Sequence, residues 1–330
     1  MKKILSALLA MTLTLMFAAC GEENKPVETK NQTDDTVIIG TMNLVNGDLI
    51  AQYEKWYESE LGVKTKIVNF KSGKEVITAL AADKVDIVQA GTSPTALALS
   101  NSIDIKVIFV GDVIGAAETL VARNDSNING VKDLAGKKVA TPFASTAHYS
   151  LLNALKLEGM TESDVELLDL QPDDIFAAWQ RGDIDAAYVW YPVLGRLLEN
   201  GKSVTNSEEL ADKGVVTADL VVARTAFAEK NPDVVKKFVA LQIKANDVIL
   251  NDSAKAAKEI SSVLEISEQD AAEQITQFKY LKADEQIKYL NESMAKTLKD
   301  TADFLVEQKS IKTAPSLEDF ASHITSEYLK

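Results

Sequence analysis

From Thr36 onward, short apolar runs of strand type alternate with longer amphipathic stretches. TVIIGTM (36–42) gives way to a helical pattern reaching Leu61, then KTKIVNF (64–70), a helix from Ser72 to Asp83, and DIVQAG (86–91). The alternation continues through IKVIFVG (105–111), ETLVAR (118–123), KKVATPF (137–143), a helix opening near Ser145, VELLDL (165–170) and DAAYVW (185–190). Strands and helices taking turns in this way predict an α/β architecture. After Val222 the spacing becomes helical, and strands are expected to stop there.

Glu118–Arg123 (ETLVAR) and Asp219–Arg224 (DLVVAR) share a carboxylate, an apolar stretch and an arginine at the same offsets. Read as paired strands that cross between two lobes, they divide the chain into lobe 1 (36–120 plus 225–330) and lobe 2 (121–224 with the hinge strands). A double hinge lets two lobes close on a ligand, and places both carboxylates near the cleft. A chance match in an Ala- and Val-rich chain is the competing explanation.

The 330 residues carry a formal charge of −14, with one cysteine and two histidines. The acidic balance argues against nucleic acid as a partner, since no basic stripe exists to neutralise phosphates. At the N-terminus, Lys2 and Lys3 precede an apolar run over residues 4–17 and the pair Ala18-Ala19 ahead of Cys20. This reads as a secretory signal over residues 1–19. The small pair before Cys20 resembles a bacterial lipobox, with Phe17 in place of the usual leucine, and so implies lipidation at Cys20. A membrane span is the alternative, but the run is short for the ~20 residues a span needs. Residues 20–35 then form the lipidated cysteine and a polar flexible tether. The expected location is extracytoplasmic, anchored to the membrane by lipid.

Catalytic chemistry finds no foothold. Ser72-Gly73-Lys74 fails as a phosphate loop because Val68 replaces the leading glycine and Glu75 the magnesium-binding hydroxyl; Ser72 reads instead as a helix N-cap with Glu75 as its capping-box partner. One cysteine and two distant histidines offer no zinc spacing, and no nucleophile elbow is present. No metal or cofactor is expected. Gly91-Thr92-Ser93-Pro94, with Pro94 at the first helical position, and Ala144-Ser145-Thr146-Ala147-His148 both open helices after strands. Such helix starts offer backbone N–H groups and hydroxyls to an anion, although ordinary N-capping also explains each. Trp190 ends a strand where an aromatic faces a crevice, whereas Trp179 sits on an apolar helix face and reads as core. His148 fits either a donor near the site or a packed histidine.

Residues 136–190, above all KKVATPFASTAHYSLLNALK and LQPDDIFAAWQRGDIDAAYVWYP, resemble the taurine-binding proteins of bacterial ABC importers, within the nitrate, sulfonate and bicarbonate substrate-binding group. FKSGKEVITALAADKVDIVQAGTSP and TADLVVARTAFAEKNPDVVKKF extend the resemblance over most of residues 36–240. It implies a two-lobe type II periplasmic-binding-protein fold with two hinge crossovers, no catalysis, and a monomer that delivers taurine to an ABC permease driven by a cytoplasmic ATPase; the alternatives are the same machinery for alkanesulfonates or another small sulfonate, or a ligand-sensing module. It further implies that Thr92, Ser93, Ser145 and Thr146 hold the sulfonate, Asp219 takes the ammonium and Trp190 borders the ligand. Glu118 is either a second cation partner or a hinge acid. Asn43 stands for a first loop, residues 41–47, that departs from the family pattern.

Overall fold

Continuously apolar strands need cover on both faces, and the central strands of this chain have it. The computed structural model describes residues 36–330. The readings of the signal, of Cys20 and of the tether fall on residues 1–35 and lie outside the described residues.

The strands are β1 (Thr36–Thr41), β2 (Lys64–Asn69), β3 (Ile87–Gly91), β4 (Ile105–Ile114), β5 (Glu118–Arg123), β6 (Lys138–Thr141), β7 (Glu166–Asp169), β8 (Ala186–Trp190), β9 (Gly201–Asn206), β10 (Ala218–Arg224) and β11 (Phe278–Lys279). They form two sheets, ordered β11-β4-β10-β3-β1-β2 and β7-β6-β8-β5-β9. In the first, β2, β1 and β3 run parallel and β10 lies antiparallel between β3 and β4. The second repeats the plan, with β7, β6 and β8 parallel and β5 antiparallel between β8 and β9. Fully buried β3 and β8 sit at the centre of each sheet, and the half-exposed β2 and β7 at an edge.

This topology corrects the sequence expectation at several points. ETLVAR and DLVVAR do not pair with each other. They are β5 and β10, the equivalent antiparallel strands of different sheets, which is why they look alike. The chain therefore changes lobe over residues 115–117 and again between Asn206 and Ala218, not at 120/121 and 224/225. A strand needs ladder partners along its whole length, so the crossing falls in the connections on either side. Strands do not end at Val222: β11 pairs antiparallel with the end of β4. The polar edge strand β9 carries too little apolar alternation to show in the sequence.

Helices cover both faces of the first sheet. Val235, Phe238 and Val239 of the Pro232–Asn251 helix join the core with Ile39, Phe109 and Val221, and Leu298, Ala302 and Leu305 of the Met294–Glu307 helix join the opposite core with Val107, Val110 and Val222. The second sheet has its own core around Tyr188, Leu151 and the buried Trp179. Phe304 reaches from the Met294–Glu307 helix to that core, where it meets Tyr149 edge-on at 5.0 Å.

Candidate ligand-binding site

Both sheets present the C-terminal ends of their parallel strands to one pocket. Ligands of open α/β sheets bind at such ends. From the first lobe come Met42, Leu44 and Val45 after β1, Gly73, Gly91, Pro94, Ile114, Asp219 and Phe278; from the second come Glu118, Ser145, Thr146, Trp190 and Tyr191.

The two carboxylates occupy matching places. Glu118 opens β5 opposite Trp190, the last residue of β8, and Asp219 near the start of β10 lies opposite Gly91, the last residue of β3. Both are buried, and among the described residues no Lys, Arg or His forms an ion pair with either. Burial pushes the Glu118 carboxyl up to about 8, against hydrogen bonds from Thr146 and Ser207 that favour its ionised form. Burial likewise raises Asp219 to about 7, against a hydrogen bond with Asp112 that acts downward. Without a cation in the pocket these acids resist ionisation.

Three helices of nine or more residues begin at the pocket: Gly73–Ala81, Thr92–Ser100 and Thr146–Leu157. The first turn of each holds N–H groups with no intrahelical acceptor. Pro94 is the third residue of its helix rather than the first. The lining takes Gly91 and Pro94 from this helix start but neither Thr92 nor Ser93; the hydroxyls of Thr92, Ser93 and Thr95 are buried and have no partner among the described residues. Ser72 does stand at an N-cap position, yet the expected capping box does not form. Its hydroxyl has no partner among the described residues, and Glu75 accepts from the Lys71 N–H instead.

The other residues singled out in the sequence are placed differently from one another. Ser145 caps its helix by accepting from the His148 N–H at 3.1 Å and donates to the Pro142 carbonyl at 2.6 Å, while Thr146 donates its hydroxyl to Glu118. Both hydroxyl protons are thus committed within the protein, and what these residues leave for an anion is backbone N–H. Trp190 lines the pocket and Trp179 is core, its indole N–H bonded to Asn200 at 2.6 Å. His148 stacks on Phe143 at 4.4 Å, outside the lining, and burial lowers it to about 4, so it is neutral. Asn43 takes a left-handed backbone conformation (φ 51°) and leaves the lining to Met42, Leu44 and Val45. These three belong to the first loop singled out in the sequence, whereas Ile114, Tyr191 and Phe278 carried no sequence signal because apolar side chains beside a site look like core.

Gly91 brings the lobes close together. A Cβ built there would stand 2.7 Å from Thr146 Cγ2 in the opposite lobe. Two exposed ion pairs, Lys71–Asp173 at 3.0 Å and Lys74–Asp169 at 3.8 Å, also bridge the first and second lobes.

The chain is 38% identical over 287 residues to the taurine-binding periplasmic protein of Escherichia coli K12, covering 85% of this chain and 88% of that one. It is 29% identical over 324 residues to a putative aliphatic sulfonates-binding protein of Bacillus subtilis 168, covering 97% and 94%. The alkanesulfonate-binding protein SsuA of Xanthomonas axonopodis pv. citri, solved with MOPS bound, superposes with a TM-score of 0.75 at 22% identity, over 88% of this chain and 98% of its own. That likeness shows the α/β periplasmic-binding fold, which agrees with the two-lobe reading of the sequence. The model of the NMT1/THI5-like family matches residues 44–256, a span holding both chain crossings, all three helix starts and both pocket carboxylates, and the chain belongs to that family.

Proposed function

We propose that this protein is the extracytoplasmic receptor of an ABC importer, which captures taurine between its lobes and delivers it to a permease coupled to a cytoplasmic ATPase. One observation carries the reading: a single pocket combines two buried carboxylates lacking any basic partner with three helix starts suited to an anion. Taurine is a zwitterion, an ammonium and a sulfonate two methylenes apart. Its ammonium supplies the charge that Asp219 and Glu118 lack, and its sulfonate meets the N–H groups of the helix starts, with the unpartnered hydroxyls of Thr92 and Ser93 reached only if their side chains turn towards it. The 38% identity to a taurine-binding protein supports this choice. Rotation about the two crossings closes the lobes over the ligand, a lipid on Cys20 holds the receptor at the membrane, and it works as a monomer.

A second reading concerns the ligand. Met42, Leu44, Val45, Ile114 and Phe278 form an apolar wall, which favours an alkanesulfonate or another small sulfonate with a longer hydrocarbon. Calorimetry with taurine, ethanesulfonate and β-alanine separates the readings. Micromolar or tighter taurine binding with both analogues much weaker is expected. Equal binding of ethanesulfonate would remove the ammonium from recognition, and no binding of any of the three would refute the assignment.

A further inference from the structure

Behind Asp219, one strand away, lies an acid that no sequence pattern singled out. Asp112 of β4 is the register partner of Asp219 on β10 and is fully buried, so that the two carboxyls face one another closely enough to share a hydrogen bond if one of them carries a proton. Its Oδ2 accepts from Asn46 Nδ2 at 3.4 Å, and its Oδ1 meets no N–H or O–H donor.

Among the described residues, the surroundings supply no positive charge. Glu118 faces the pair from β5, and Asp48, behind the Asn46 turn, is held by Tyr57 and by Gln52 at 2.7 Å. The Tyr280 hydroxyl donates to the Val45 carbonyl at 2.6 Å, Gln89 on β3 donates to Asn46 at 3.0 Å, and Gln286 is bonded to the Val110 backbone. Two carboxylates in contact in such a place cannot both be ionised, and a hydrogen bond between them requires a proton on one. Asp219 lines the pocket, where an arriving cation stabilises its charge, whereas Asp112 has no route to a cation except through Asp219. The proton therefore belongs on Asp112.

We propose that Asp112 is a positioning residue: as a neutral carboxylic acid it donates a hydrogen bond to Asp219, holding that carboxylate towards the pocket and fixing the pair at one negative charge, matched to one monovalent cationic group. The inference rests on the reading that the ligand carries an ammonium. Relatives built with a hydroxyl or amide in this position would serve equally as donors, so the chemistry required is a donor and not an acid.

Asp112→Asn keeps a donor of the same shape, and Asp112→Leu removes it. Taurine calorimetry between about pH 6 and pH 8 is expected to give Asp112→Asn an affinity within about threefold of wild type and an unchanged pH profile. Asp112→Leu should bind at least about tenfold more weakly near pH 7, with its profile moved to higher pH, because the ionised form of Asp219 has lost a hydrogen bond. A tenfold loss or a shifted profile in Asp112→Asn would overturn the proposal, since it would mean that Asp112 is ionised. Infrared difference spectra of ligand-free wild type against Asp112→Asn read the proton directly, without ligand and without the Leu variant. A carboxylic-acid carbonyl band present in wild type and lost in Asp112→Asn is expected, and its absence overturns the proposal. If taurine gives no heat with wild type, the ligand reading fails, while the infrared band still decides the state of Asp112.

Discussion

Replacing Asp219 with Asn removes the pocket's charge at nearly constant volume, and the structure sets both the size of the effect and its dependence on pH. An ammonium facing a buried carboxylate that has no other cation is a desolvated charge pair. Removing one partner costs about 2–5 kcal/mol, and the lower end alone corresponds to about a thirtyfold loss of affinity. The full loss is seen only where Asp219 is ionised before the ligand arrives. Its carboxyl titrates at about 7 in the empty site because burial favours the protonated form. Below that value the ligand must first displace the proton, at a cost of about 1.4 kcal/mol per pH unit. Wild-type affinity should therefore fall about fivefold from pH 7 to pH 6 and about tenfold from pH 8 to pH 6, whereas Asp219→Asn keeps only Glu118, which is raised higher, to about 8, and changes less. The two proteins should differ by thirtyfold or more at pH 8 and approach one another at pH 6. Calorimetry of taurine at three pH values tests this. A deficit in Asp219→Asn that stays constant across the range would refute the argument that a charge is being read, and an unchanged affinity at pH 8 would remove Asp219 from the site.

Glu118 provides a test on stability. Its carboxyl is raised by burial to about 8 from an ordinary value of 4.5, so the folded state prefers the protonated form, and stability is lost as pH rises between those values. Subtracting the melting temperatures of Glu118→Gln from those of wild type, without ligand, should give a difference that falls steadily from pH 5 to pH 8; a flat difference would mean that the carboxyl is already paired. Gly91 has φ −64°, which alanine tolerates, so Gly91→Ala should act through its contact with Thr146 across the cleft. About 1–2 kcal/mol of overpacking is expected to weaken taurine binding by roughly tenfold with little change in melting temperature. An unaltered affinity in calorimetry would show that the lobes need not approach so closely. Lys71–Asp173 and Lys74–Asp169 are exposed, and such pairs contribute about 0–1 kcal/mol. The double variant Lys71→Ala/Lys74→Ala should bind less than about fivefold more weakly and lose part of the salt dependence of binding, measured between low and high ionic strength.

The sequence by itself determined the α/β class, because alternating periods of two and of three to four leave a chain few ways to bury its apolar faces. It also marked the ends of the strands where a site could lie, through the helix starts at Thr92 and Thr146 and the carboxylates at Glu118 and Asp219. Each of these is a local signal, a cap, a turn or a strand end, and local signals survive in one dimension. Only the tertiary structure decided that ETLVAR and DLVVAR are equivalent rather than paired, since pairing depends on which strand lies alongside and not on resemblance. Only the fold separated the free hydroxyls of Thr92 and Ser93 from those of Ser145 and Thr146, which are committed to Pro142 and Glu118. It alone set Asp112 against Asp219, residues far apart in the chain whose carboxyls meet because β4 and β10 are in register. A carboxylate's charge depends on its neighbours in space, and those neighbours are fixed by the sheet.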